Sequence, residues 1–184
     1  ENTVEVMGKE AWRKIINIAI ETNNFNFVSW KAVDAKRRKI SHNVLSLTLK
    51  VDKNTTYYYG QFMAPANQAG LSDRIYQNVL NMMFKTPDMT LKGSICSLRL
   101  PYDYLEQQET FNEMSELFSI YAQNLPFKLI IEMPDKLVRQ NSAFVKKYKS
   151  LFEKYNIDMG VFEFIGESVD YQYLQDLRPM YIRG

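Results

Sequence analysis

Three observations predict an α/β fold of barrel type for this chain of 184 residues. From Ser72 onward, helix-like and strand-like periodicities alternate, which implies parallel strands returned by helical crossovers. The strand candidates are apolar on both faces, as in a sheet covered by helices. They recur at Ile95, Leu129 and Val161, roughly every 33 residues, the repeat of a strand–helix barrel unit. The chain stops on strand-like Ile182-Arg183-Gly184 before a full set of barrel strands is made. The expectation is therefore a barrel incomplete at its C-terminus, a piece of a longer domain.

The elements follow in order. Gly8 opens an amphipathic helix with Trp12, Ile15, Ile16 and Ala19 on one face, fading at the turn pair Asn23-Asn24. Phe25, Phe27, Val28, Ala32 and Val33 read as a strand. Lys36-Arg37-Arg38-Lys39 is a basic turn, and Val44 to Val51 is a second strand with Leu45, Leu47 and Leu49 alternating. A short polar turn between two strands makes an antiparallel hairpin. Ser72 can cap a helix carrying Ile75, Tyr76, Val79, Leu80 and Met83. Ile95–Leu100 is a strand, and Leu105 to Asn124 a helix with Phe111, Met114, Leu117, Phe118 and Tyr121 inward. Leu129–Met133 is an apolar strand. A helix from Asn141 to Tyr155 carries Phe144, Tyr148, Leu151 and Phe152. Val161–Phe164 is a strand, Tyr171–Leu177 a short helix, and Met180–Arg183 a last strand.

Composition removes much familiar chemistry. The length suits one well-buried domain. A net charge of +2 with 24% charged residues argues against a disordered tail or a coat for nucleic-acid polymers. No apolar run approaches the length of a membrane span, so no membrane contact is expected within this segment. No basic-then-apolar leader opens the chain, so the expectation is a cytoplasmic protein or else a piece cut from a longer one. One cysteine, Cys96, excludes an internal disulfide and Cys-rich zinc sites; one histidine, His42, excludes two-histidine metal helices. His42 has no recognisable partner for work as a base. Cys96, on an apolar strand, reads as a small buried hydrophobe. Trp12, Phe111, Phe118 and Phe144 sit at helical spacing and are core candidates. The basic turn Lys36 to Lys39 reads as solvated, with phosphate contact as the alternative, and the same holds for Lys146, Lys147 and Lys149 on a helix's outer face. Tyr57-Tyr58-Tyr59 cannot all face one core, so at least one lines a rim or an interface.

Several segments carry a resemblance. Pro126 to Met133 ends a strand on the carboxylate of Glu132. Tyr155 to Phe164 runs from a helix end through a turn into a strand, and Tyr173 to Arg183 closes the chain. Upstream, Phe62-Met63-Ala64-Pro65-Ala66-Asn67-Gln68 precedes Ala69-Gly70-Leu71. This succession resembles the EAL-domain family, barrel phosphodiesterases that hydrolyse cyclic di-GMP with two divalent metals. The resemblance covers about Gly8 to Gly184 and implies a helix over 1–24 leading into a degenerate EAL domain over 25–184 that lacks its last strands.

Carried over residue by residue, the resemblance implies a site stripped of its ligands. The signature glutamate–alanine–leucine falls on Val44-Leu45-Ser46, or with a slip of one on Asn43-Val44-Leu45, and neither holds a carboxylate. The phosphate-binding arginine becomes Thr48, the first-strand glutamine Trp30, and the metal-binding asparagine Arg99. The paired aspartates fall on Phe162 and Glu163, with Ile165 in place of the glycine. Glu132 and Glu163 remain as relic metal-ligand positions, and Arg183 keeps the charge of the family lysine. A two-metal site needs several convergent anionic oxygens, so the expectation is no metal, no cofactor, no catalytic residue and no hydrolysis. An Arg99–Glu132 ion pair across adjacent strand ends is the alternative use of Glu132. The implied function is a non-catalytic regulatory module of a bacterial cyclic di-GMP signalling protein, whose partners are other domains or a protein. The alternative is a non-hydrolytic cyclic di-GMP receptor in which Trp30 stacks on guanine while Arg99 and Arg183 meet phosphates. An active phosphodiesterase ranks last. The resemblance also implies a homodimer as one arrangement.

Overall fold

A computed structural model describes residues 7–34, 39–163, 179 and 181–182. The expectations placed on residues 36–38, on the 171–177 helix, on Ile165, on Met180 and on Arg183 lie outside the described residues. The chain divides into two compact units, one of Glu1–Val28 with Ser46–Met82, the other of Ser29–Leu45 with Met83–Gly184.

In the first unit, helix α1 (Lys9–Thr22) starts after Gly8 and stops at Asn23, whose left-handed φ of 54° lets its N–H close on the Ala19 carbonyl. Its Ile16 and Ala19 are buried, and Trp12 meets Tyr57 edge-on at 5.0 Å. Strands β1 (Phe25–Asp34) and β2 (Lys39–Lys50) begin and end here, respectively, and β3 (Thr56–Tyr58) pairs antiparallel with the end of β2. Leu47 and Leu49 of β2 point inward as their alternation predicts. Helix α2 (Tyr59–Gln68) follows at once, with the Tyr58 N–H donating to Gln61 Oε1 at 2.9 Å. It buries Phe62, Met63 and Ala66, with Phe62 against Phe25 at 5.8 Å. Helix α3 (Ser72–Lys85) buries Ile75, Tyr76, Val79 and Leu80. Its start corrects the expected cap by one residue. Ser72 is already helical, and the Leu71 carbonyl accepts from the Ile75 N–H at 3.1 Å. Asn78 fastens α3 to the end of α1, donating to the Ile20 carbonyl at 3.2 Å and to Asn23 Oδ1 at 2.8 Å.

The second unit holds the parallel sheet. Its strands are the end of β1, the start of β2, then β4 (Ile95–Arg99), β5 (Lys128–Pro134), β6 (Asp158–Phe162) and β7 (Tyr181–Ile182), neighbours in that order. The pairs from β2–β4 through β6–β7 are all parallel. β1 and β2 are neighbours joined by only four residues, too few for the crossover that a parallel pair requires. Residues 129–135 are buried without a break, as a strand covered on both faces requires.

Helices α5 (Gln108–Tyr121) and α7 (Ser142–Lys154) make the returns. Phe111 contacts Phe144 and Tyr148 at 6.0 and 5.3 Å, while Phe118 contacts Phe84, Phe152 and Tyr155 at 4.8, 6.0 and 6.2 Å. The buried Tyr148 hydroxyl donates to the Leu105 carbonyl at 2.7 Å, and burial pushes its phenol up from the ordinary value. The helix expected from Leu105 starts later, at Gln108, and the helix expected from Asn141 forms as α7 with an unexpected short helix ahead of it. Gln107, extended at φ −82° and ψ 132°, separates α4 (Tyr102–Leu105) from α5. Asn141 separates α6 (Asp135–Gln140) from α7 and caps the latter by accepting from the Phe144 N–H at 3.3 Å. Strand β6 begins at Asp158, three residues before the expected start.

Candidate functional site at the strand ends

In sheets of this kind, functional side chains gather where parallel strands end. Strand register brings four residues of the second unit into one transverse row. Arg99 pairs with Glu132, Glu132 with Gly160, and Gly160 with Tyr181. Partners in a parallel ladder share a face, so the three side chains project together and Gly160 leaves room between them.

Glu132 is the centre of the row. It is 1% exposed, and a carboxylate so buried needs donors on its oxygens. Arg99 supplies two to Oε1, from Nε at 3.3 Å and Nη2 at 3.2 Å. The Tyr181 hydroxyl donates to Oε2. Arg99 itself has 51% of its side chain exposed, and its guanidinium lies 4.2 Å from the centre of the Phe162 ring. The ring of Tyr181 covers Gly160, where a Cβ would come within 2.7 Å of it. The Tyr181 ring also stacks on His42 at 5.5 Å with 25° between the planes. One step down β4 on the same face, the Ser97 hydroxyl is buried with no hydrogen bond among the described residues.

The sequence-derived candidates divide. Arg99 and Glu132 meet as the ion-pair reading anticipates. Glu163 follows the end of β6, exposed and at a left-handed φ of 58°, and makes no hydrogen bond or ion pair with the described residues. Trp30 is 59% exposed on β1. Arg183 lies outside the described residues. His42 is a ring against Tyr181 in a buried setting. Cys96 is buried; burial first, opposed by a hydrogen bond with Asn43 and reinforced by Asp88, pushes its thiol up to about 11.

Two members of the cluster escaped sequence reasoning. Tyr181 belongs to a strand and to the closing segment that carries the resemblance, but neither points to its bond with Glu132. Gly160 carried a usable signal, because a glycine inside a strand pattern marks a close approach by other atoms. A second buried carboxylate, Asp135, was missed outright. It opens α6 and is ion-paired with Arg139 one turn on.

The residues present do not fit a pair of divalent cations. A cation on Glu132 would compete with a guanidinium on one oxygen and a hydroxyl on the other, and Phe162 offers no ligand beside it. Among the described residues, no group of three His, Cys, Asp or Glu side chains could hold a metal. No helix among them is long and apolar enough to cross a membrane.

No family model matches the sequence, and no curated protein matches it either. Solved structures do. LapD of Vibrio cholerae, an S helix-GGDEF-EAL protein solved bound to c-di-GMP, superposes with a TM-score of 0.76 over 98% of this chain at 18% identity. The EAL domain of FimX from Xanthomonas citri, also in complex with c-di-GMP, gives 0.72 over 95% at 13% identity. An EAL-domain protein of Listeria monocytogenes gives 0.70 over 98% at 17% identity. This chain spans 44% of the LapD chain and 68% and 69% of the other two. Its parallel strands and returning helices are thus an incomplete (βα) barrel, and the fold of this chain is that of an EAL domain.

Proposed function

We propose that this chain is a catalytically inactive EAL-like domain of a bacterial cyclic di-GMP signalling protein, acting in the cytoplasm as a regulatory or protein-contact module. One observation carries the reading: Glu132, the buried carboxylate at the strand ends, already holds Arg99 and Tyr181 on its two oxygens. A hydrolytic two-metal site works by clamping attacking and leaving oxygens between cations. Arg99 brings a fixed positive charge to that position and repels a dication. Exchanging a tethered guanidinium for a metal would also cost Arg99 its charge-assisted bonds to Glu132.

A second reading, a receptor that binds cyclic di-GMP without cleaving it, is favoured by the exposure of Trp30 and of the Arg99 side chain. An exposed indole can stack on a base and an exposed guanidinium can meet a phosphate. LapD and FimX were each solved with c-di-GMP.

Titration calorimetry of cyclic di-GMP into the protein, with Mg²⁺ or with EDTA, separates the readings when the mixture is then analysed for a linear dinucleotide. No heat and no product is the outcome expected of a protein-contact module. Micromolar binding indifferent to EDTA and weakened about tenfold or more by Arg99→Ala makes the chain a receptor. Metal-dependent product would overturn both.

A further inference from the structure

Helix α7 carries lysines along one stripe of its surface. Ala143, Lys146, Lys147, Ser150, Leu151 and Lys154 follow the i, i+3, i+4, i+7 spacing of a single helical face, and together they line a shallow groove of about 460 Å³. Phe111 of α5, half-buried, completes its wall. The groove runs about 16 Å along α7, three turns of helix. Its apolar part is Phe111, Ala143 and Leu151. Its charged part is a set of exposed lysines, Lys146 and Lys147 toward one end and Lys154 at the other. No acidic side chain among the described residues lines it. Glu153, the one acid of α7, lies outside the groove and pairs with Lys149 at 3.8 Å. Lys147 makes no ion pair among the described residues.

We propose that this groove docks an acidic amphipathic helix belonging to another protein or domain. Apolar side chains of that helix cover Leu151 and Phe111, while its carboxylates meet Lys146 and Lys147 at one end and Lys154 at the other. Lys147 and Lys154 are two turns apart, about 10 Å, so the partner's acids recur at i and i+7 around an apolar pair at i+3 and i+4. This is recognition of a helix by a groove, with apolar area for affinity and lysines for orientation. An extended anionic surface fits worse. Helix α5 lies beside α7 and exposes Glu109, Glu113 and Glu116. A lipid headgroup layer or a nucleic-acid backbone spread across both helices would meet those like charges. A membrane also takes up large apolar side chains, and α7 exposes none. The inference rests on the protein-contact reading only in taking the occupant to be a protein. The nucleotide titration reads the strand ends and peptide binding reads α7, so the two fail separately.

The probe is a fluorescein-labelled, alanine-based helical peptide carrying two adjacent leucines, with a glutamate about one turn before and one turn after them. Titrated with the whole chain and followed by anisotropy, it should bind in the high micromolar range, and more weakly as salt is raised. Lys147→Glu with Lys154→Glu should weaken binding about tenfold or more, and Lys147→Gln with Lys154→Gln should weaken it less. A second peptide, with lysines replacing the glutamates, should ignore the wild type and bind the charge-reversed variant. Both positions are exposed, and circular dichroism checks that the variants fold. No binding of the first peptide overturns the proposal, and so does binding that survives the charge reversal. Phosphatidylserine-containing vesicles and a DNA duplex are titrated alongside. If either binds the wild type more tightly than the peptide does, and loses that binding in the charge-reversed variant, the stripe serves a membrane or a nucleic acid and the proposal falls.

Discussion

Within the second unit, the α5–α7 layer and the strand-end row are held by different physics. The helical layer is a run of rings, from Phe84 through Phe118 to Phe152, in which burial does the work and direction matters little. The row is directional. Glu132 is comfortable only while donors from two other strands stay aimed at its oxygens. The first arrangement tolerates a change of shape better than a loss of volume. The second tolerates neither a slip of register nor the loss of a donor.

Phe118→Ala strikes the first arrangement hardest. Phe118 is 1% exposed among three other rings, and its truncation should destabilise the chain by about 3–5 kcal/mol in urea denaturation. A loss under about 1 kcal/mol would mean that the layer repacks freely. Arg99→Ala probes the second. It leaves Glu132 buried with the Tyr181 hydroxyl and without its cation, at a cost of about 1–3 kcal/mol. If Arg99→Ala cost more than Phe118→Ala, direction rather than burial would dominate the unit. The smallest effect is a matter of pH. The Cys96 thiol is raised in the folded chain to about 11 from an ordinary 9.0, so its neutral form is favoured by folding. That contribution is fully present below pH 9 and is lost as pH rises toward 11. Melting temperature should therefore fall more steeply over that window in the wild type than in Cys96→Ala. Equal slopes would place the thiol in contact with water.

The two arrangements also differ in how far they can be read from residues. Met114, Leu117, Phe118, Phe144, Tyr148, Leu151 and Phe152 are all buried, as helical spacing alone requires. Phe111 and Trp12 are half-buried, because each lines the edge of its layer. Short elements were harder. Helix α6 has only six residues, four of them polar, and shows no periodicity, so the Asp135–Arg139 pair stayed hidden although its partners are one turn apart. Helix α2 carries Pro65 inside it, which reads as a breaker. Asp158 and Gly160 are poor strand formers, and β6 holds them because β5 and β7 flank it on either side. The Arg99–Glu132 pair is legible despite its separation in sequence through the resemblance, which sets Arg99 and Glu132 toward the ends of adjacent strands. Tyr181 is not, because nothing in a two-residue strand tells which way its ring turns.

The row of Arg99, Glu132, Gly160 and Tyr181 spans four strands, and its members come from four separate stretches of chain. Lengthening a connecting loop by a few residues leaves every member where it was. Inserting one residue within a strand, between its anchored core and its tip, turns the tip residue to the opposite face and empties one place in the row. Across descendants of this chain, insertions should therefore accumulate in the loops and be weeded out of the strands. The spacing between members would drift while their position relative to the strand tips stayed fixed.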